Sequence, residues 1–81
     1  MRIGELSKRT GVKIDTLRLY VKKGLLEYTH KSKYWNFDED QIILVEYIVL
    51  LRNLDFSIND IHYLFHTSED LLDGTKIKKR E

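Results

Sequence analysis

Basic and aromatic side chains alternate in the segment HKSKYW, residues 30–35 of the 81-residue sequence. Lys31 and Lys33 stand beside Tyr34 and Trp35, and this mixture of ammonium groups and rings is typical of a surface that contacts a phosphate backbone. The alternative is that the rings close the hydrophobic core while the lysines are simply solvated. Each interpretation accounts for part of the pattern, so the segment is a candidate contact for a polyanion.

A second group of polar and basic side chains lies on a helix that the spacing predicts over residues 14–23. Ile14, Leu17 and Val21 form an apolar stripe that should face the interior. A leucine among basic groups fits a surface that meets thymine methyl groups or sugars, although single exposed leucines are common. The other faces carry Asp15, Leu19, Lys22 and Lys23, with Arg18 and Tyr20 flanking the stripe.

Signals for enzymatic or metal chemistry are weak. The chain has no cysteine, which excludes disulfides and thiolate metal sites, and it has no glycine-rich phosphate loop or nucleophile–base set. His62 and His66 are four residues apart, a spacing that can hold a metal ion. No third ligand is obvious, and ordinary surface histidines are the favoured interpretation. We therefore predict no enzyme, no cofactor and no metal site.

The formal net charge of +1 conceals a strong asymmetry. Residues 1–36 hold nine Lys and Arg against three acids, residues 37–75 hold one against nine, and residues 76–81 hold four against one. A basic N-terminal part on an acidic body favours a polyanion contacted from one side. The sequence starts with a polar periodic segment, and its longest apolar run is shorter than the roughly 20 residues of a membrane span. We expect a soluble, cytoplasmic protein with no membrane partner.

Local signals predict the elements that position these residues. A first helix should run from Ile3 to Arg9 and end at Gly11, and the second should end at Gly24, since glycine readily adopts the left-handed conformation. The short loop 11–13 between them suits a helix-turn-helix. The β-forming residues around the polar tip His30–Lys33 predict a hairpin within residues 25–37.

Two further helices are predicted in the acidic part. Asp38 and Gln41 resemble a capping box for a third helix that reaches about Leu54, Asp55 should take a turn conformation, and Ser57 with Asp60 should cap a fourth helix. The third helix has more apolar side chains than one core face can bury. We infer a missing partner for the surplus, which comprises Ile43, Leu44, Val49 and Leu50.

Three stretches together resemble the MerR family of bacterial transcription regulators. They are MRIGELSKRTGVKIDTLRLYVKKGLL at residues 1–26, YWNFDEDQ at 34–41 and LRNLDFSINDI at 51–61. The resemblance implies a mainly α, winged helix-turn-helix fold with a short β-hairpin wing over residues 1–66. Residues 67–81 would begin a connector towards a dimerisation helix that the sequence lacks. Family members bind pseudo-palindromic promoter DNA as homodimers. RNA polymerase is a further candidate partner at such a promoter.

Carried over by position, the resemblance implies DNA contacts for Arg18, Tyr20 and Tyr34. The chain departs from the family pattern at four positions. Leu19 replaces a tyrosine of the family pattern, and Trp35 occupies the position of the wing arginine. Val21 replaces an acidic residue, and Asp55 replaces a glycine. Lys33 or Lys31 would then substitute for the wing arginine in contacting the backbone.

Three hypotheses follow. The first is the head of a dimeric, sequence-specific regulator of promoters. The second is a free-standing, excisionase-like architectural DNA binder. The third is a protein-interaction module that no longer binds DNA, motivated by Leu19, Trp35 and the apolar third helix. Under the first hypothesis, double-stranded DNA is bound from three places in the chain. These are Lys13 in the loop before the second helix, Thr16, Arg18, Leu19, Tyr20 and Lys22 of that helix, and Lys31, Lys33, Tyr34 and Trp35 of the wing.

Overall fold

Four helices and one antiparallel hairpin make up the fold. The structure, a computed structural model, describes the backbone of residues 1–31 and 33–72 and the side chains of residues 1–30 and 33–67. The predicted mainly α, winged helix-turn-helix architecture is confirmed. Most of the expected connector, residues 73–81, lies outside the described residues. The elements are α1 Ile3–Thr10, α2 Ile14–Lys22, β1 Thr29–Lys31, β2 Tyr34–Asn36, α3 Asp40–Asn53 and α4 Ile58–Leu72.

The turn between α1 and α2 is fixed by glycine geometry and two hydroxyl groups. Gly11 has φ 74°, and its N–H donates to the Ser7 carbonyl at 2.8 Å. The Ser7 hydroxyl donates to the Val12 carbonyl at 2.6 Å, and the Thr10 hydroxyl donates to the Leu6 carbonyl at 2.8 Å. Gly24, after the end of α2, has φ 77°. Both glycines therefore end helices as predicted, because a left-handed φ costs glycine little.

The wing is held at its base by the start of the chain. β1 and β2 pair with His30 opposite Trp35 and Lys31 opposite Tyr34. The Phe37 N–H donates to the Met1 carbonyl at 2.6 Å, and the Met1 amino group donates to the Phe37 carbonyl at 2.6 Å. This reciprocal pair places residue 2 next to the wing.

The caps of α3 and α4 differ. The prediction of a capping box for α3 is wrong, since none of the side chains that the structure describes caps the start of this helix. The buried Gln41 side chain accepts a hydrogen bond from the Glu27 N–H at 2.9 Å. At α4 the prediction is confirmed. The Asp60 N–H donates to the Ser57 hydroxyl at 3.0 Å, and the Ser57 N–H donates to an Asp60 carboxylate oxygen at 3.1 Å. Asp55 has φ 70°, the turn conformation expected for it.

All four helices and the wing contribute to one core. In the part of the chain that the structure describes, no helix combines the length and apolar character needed to cross a membrane. Leu54, the C-cap residue of α3, is 60% exposed and lies outside this core. The buried hydrophobic residues are Leu6, Leu17, Tyr20, Leu25, Leu26, Phe37, Val45, Ile48 and Ile61.

Candidate nucleic-acid interface

A cleft forms where the start of α1, the middle of α2 and the wing meet. Its volume is about 250 Å³. We call it the basic cleft, because among the described residues that line it three carry positive side chains and none is acidic. The fold brings these residues together from three separate parts of the sequence. The lining consists of Arg2, Ile3, Arg18, Lys33, Tyr34 and Trp35.

Arg2 is the charged residue of the basic cleft that was not predicted from the sequence. Its guanidinium carbon lies 3.9 Å from the centroid of the Tyr34 ring, a cation–π contact. A stacked guanidinium keeps its N–H groups in its own plane, where they can donate to an anion. The sequence signal for Arg2 was limited to a basic residue directly before the first helix. Its place in the cleft depends on the pairing of Met1 with Phe37, a long-range contact that leaves no local pattern.

Arg18 is held only loosely on the surface of α2. One guanidinium nitrogen lies 3.4 Å from a carboxylate oxygen of Asp15, and the two side chains are 57% and 95% exposed. An ion pair this exposed contributes little to stability. Arg18 can therefore exchange Asp15 for a phosphate or a base edge at small cost.

The other predicted contacts of α2 are only partly gathered around this cleft. Lys13, Leu19 and Lys22 are exposed and Thr16 is half-buried, but none of the four lines the basic cleft. Lys13 is the N-cap of α2, and the other three lie on the same helix as Arg18, so the four extend the polar surface along it. A helix with this exposed face can enter a groove while its opposite face stays in the core.

Tyr20 corrects the sequence-based picture of α2. It was expected at the edge of the apolar stripe with a DNA contact, but its side chain is only 5% exposed and packs in the core. Burial raises the pKa of its phenol, and the positive charge of Arg52 partly opposes this rise. The buried face of α2 is centred on Leu17 and Tyr20, while Ile14 is exposed. The helix is thus rotated from the expected orientation, which turns Tyr20 inward.

The wing combines two exposed groups with a rigid aromatic base. Lys33 and Tyr34 are exposed, and Trp35 is half-buried. The Trp35 ring lies 4.9 Å from the Tyr28 ring and 6.3 Å from the Phe37 ring, measured between centroids. The rings therefore belong to both the core and the surface. The predicted contact Lys31 lies in β1, but its side chain is outside the described ones.

A different surface occupies one side of α3. Ile43, Tyr47, Leu50 and Leu54 are each more than half exposed, and their spacing places them on one face of the helix. We call this set the α3 stripe. Leu44 and Val49, also expected to be surplus, pack partly against the core. The prediction of exposed apolar side chains on this helix is confirmed for Ile43 and Leu50.

Comparisons with known proteins agree on one family. The model of the MerR HTH family of regulatory proteins matches residues 1–67. The nodulation protein NolA of Bradyrhizobium elkanii is 34% identical over 74 residues, which are 89% of this chain and 34% of NolA. The mercuric resistance operon regulatory protein of Shigella flexneri is 31% identical over 77 residues, or 93% of this chain and 51% of that protein.

A solved structure extends the comparison to the fold. The transcription regulator PbrR691 from Ralstonia metallidurans CH34, in complex with lead(II), superimposes with a TM-score of 0.77 and 27% sequence identity. The match covers 99% of this chain and 71% of the PbrR691 chain. The chain thus spans between a third and a half of the length of the curated relatives described above.

Proposed function

The chain belongs to the MerR family of helix-turn-helix regulatory proteins, and from this premise we propose that it is the DNA-binding head of a dimeric regulator of bacterial promoters. It acts by binding double-stranded DNA, without enzymatic chemistry of its own. The observation that carries the proposal is the basic cleft, in which Arg2, Arg18 and Lys33 converge beside the exposed face of α2.

In this proposal α2 lies in the major groove. Arg18 carries the planar fork that binds guanine O6 and N7 in a bidentate manner, the commonest specific base contact. Leu19, at 41% exposure, meets a thymine methyl group. Lys13, Thr16 and Lys22 contact the same groove or its rims, whereas Tyr20 packs in the core and makes no contact with DNA in this proposal.

The basic cleft and the wing bind the phosphate backbone beside that groove. Arg2 and Lys33 supply positive charge, and Tyr34 orients the Arg2 guanidinium through the 3.9 Å cation–π contact. Trp35 contributes its exposed edge, and Lys31 remains a proposed contact of the wing. Phosphate contacts of this kind fix the position and register of a protein on the duplex, while base contacts select the sequence.

Dimerisation is the second part of the proposal. The α3 stripe exposes four large apolar side chains in a row, and such a row is typical of a surface that another protein segment covers. We propose residues 1–66 as the head and residues 67–81 as the start of a connector to a dimerisation helix. A dimer would present two α2 helices to the two halves of a pseudo-palindrome. Contact with RNA polymerase is a further proposal that rests on family membership alone.

Selection of binding sites from a randomised duplex library tests the DNA proposal. The 81-residue chain should enrich one short motif, and the selected duplex is then used in fluorescence anisotropy. Arg18→Ala should weaken binding by about 1–3 kcal/mol, because the bidentate base contact is lost. The matched control is Lys8→Ala, which removes an exposed charge of α1 outside the basic cleft.

The outcomes separate the alternatives. Enrichment of a motif with a selective loss in Arg18→Ala supports the proposal. Equal losses in Arg18→Ala and Lys8→Ala would mean that the charge of the head, and not α2, determines binding. If no duplex is bound at low salt, DNA binding by this chain is wrong and the α3 stripe becomes the main functional surface.

A further inference from the structure

Two imidazole rings on α4 have their Nε2 atoms in direct contact. The Nε2 atoms of His62 and His66 are 3.0 Å apart, and the ring centroids are 4.1 Å apart. Residues four apart lie on the same helix face, so the helix itself brings the rings together. At 3.0 Å the nitrogens are within hydrogen-bonding distance, so in the free protein the Nε2–H of one ring donates to the Nε2 lone pair of the other.

We propose that His62 and His66 form a two-nitrogen chelate for a divalent late transition metal, Cu²⁺ or Ni²⁺, which takes the place of this hydrogen bond. On binding, the ring that donated moves its one proton from Nε2 to Nδ1 by exchange with water, so that both neutral rings carry Nδ1–H and present the Nε2 lone pair to the metal. The proposal concerns a surface distinct from the basic cleft, since neither histidine lines that cleft. It does not depend on the chain binding DNA.

The distance between the nitrogens and the number of ligands favour Cu²⁺ or Ni²⁺. With metal–nitrogen bonds of about 2.0–2.1 Å, nitrogens 3.0 Å apart subtend an angle of roughly 95° at the metal. This value is near the right angle between neighbouring ligands in square-planar or octahedral complexes. Zinc sites usually have three or four protein ligands, whereas this pair supplies two nitrogens. Imidazole nitrogen in tetragonal geometry is typical of Cu²⁺ and Ni²⁺.

The surroundings leave room for an ion with water ligands. His66 is exposed and His62 is half-buried. No group of three or more His, Cys, Asp or Glu that could hold a metal occurs among residues whose placement is described, so water would complete the coordination. His62 Nε2 also lies 3.4 Å from the point that a Cβ on Gly24 would occupy. The absence of a side chain at Gly24 keeps that side of the nitrogen open, at the junction of α4 with the end of α2.

Titration calorimetry with Ni²⁺ at about pH 7.5 tests the chelate, because neutral imidazole is the ligand form. The third histidine of the chain, His30, is replaced first as His30→Gln so that it does not contribute background binding. This parent should bind one equivalent of Ni²⁺. His66→Gln should lower the affinity at least about tenfold, because the second nitrogen no longer acts at high effective concentration.

The matched control keeps two histidines in α4 but breaks their alignment. His66→Gln combined with Thr67→His places the rings five residues apart, on different sides of the helix. It should lose affinity as His66→Gln does, while circular dichroism reports unchanged helix content for each variant. Failure of the parent to bind Ni²⁺ would overturn the proposal. So would affinity within about threefold of the parent in either variant.

Discussion

The basic cleft and the α3 stripe are two exposed surfaces on one small core, and they are built in opposite ways. The cleft collects charged and aromatic side chains, together with the aliphatic Ile3, from residues 2–3, 18 and 33–35. The stripe comes from a single helix, whose spacing repeats Ile43, Tyr47, Leu50 and Leu54 on one face. The cleft therefore exists only when the fold is complete, whereas the stripe exists wherever α3 is helical.

Because the two surfaces are built differently, they suit different kinds of partner. A polyanion requires charges at fixed mutual positions, and the Met1–Phe37 pairing together with the Arg2–Tyr34 contact supplies that rigidity. A protein segment requires contiguous apolar area, which the stripe offers without any fixed polar group. Substitutions in the core, in the cleft and on the stripe should consequently have separable effects on the free energy of unfolding and on DNA affinity.

The largest effect is expected where the wing joins the core. Phe37 is fully buried and its backbone pairs with Met1, so Phe37→Ala should lower the free energy of unfolding by about 3–5 kcal/mol through lost burial and the cavity left behind. Urea denaturation followed by circular dichroism measures this loss. DNA affinity should fall with it, because the wing base carries the basic cleft. A loss below about 1 kcal/mol would mean that the wing is not anchored through Phe37.

A smaller effect is expected within the cleft. Tyr34→Leu removes the ring that holds Arg2 and should weaken DNA binding by about 0.5–1 kcal/mol, the value of an exposed cation–π contact. Tyr34→Phe is the matched control, since it keeps the ring face and removes only the hydroxyl. Fluorescence anisotropy on the selected duplex compares the two. If Tyr34→Phe lost as much affinity as Tyr34→Leu, the hydroxyl and not the stacked arginine would be the important group.

The smallest effect on stability is expected on the stripe. Leu50 is 52% exposed and Ile48, two residues earlier on α3, is fully buried. Leu50→Ala should change the free energy of unfolding by no more than about 0.5 kcal/mol, whereas Ile48→Ala should cost about 2–5 kcal/mol. Urea denaturation of the pair gives the contrast. Similar losses in both variants would show that the stripe belongs to the core of the head.

The elements of the fold were predictable because their signals are local. Gly11 and Gly24 end helices, Ser57 and Asp60 cap α4 reciprocally, and Asp55 adopts a positive φ. Each signal lies within a few residues of the structure that it determines. The surplus of apolar side chains on the third helix was likewise visible from spacing alone.

The errors arose where tertiary contacts override local patterns. Gln41 resembled a capping residue, but its buried side chain accepts a hydrogen bond from the Glu27 N–H. Tyr20 was predicted at the edge of the apolar stripe, because a small rotation of α2 decides whether it or Ile14 faces the core. Arg2 was missed because its position depends on the contact between Met1 and Phe37. Contacts between distant residues assemble the cleft, and no local pattern encodes them.

The salt dependence of DNA binding tests the central claim, that the basic cleft contacts phosphate, most directly. Anisotropy on the selected duplex at several salt concentrations gives the slope of log K against log salt. In Arg2→Gln combined with Lys33→Gln the slope should be shallower than in the parent by about 2, one for each phosphate contact removed. Lys8→Gln should leave it unchanged. An equal slope in the double variant and the parent would contradict the assignment of the cleft to the DNA backbone.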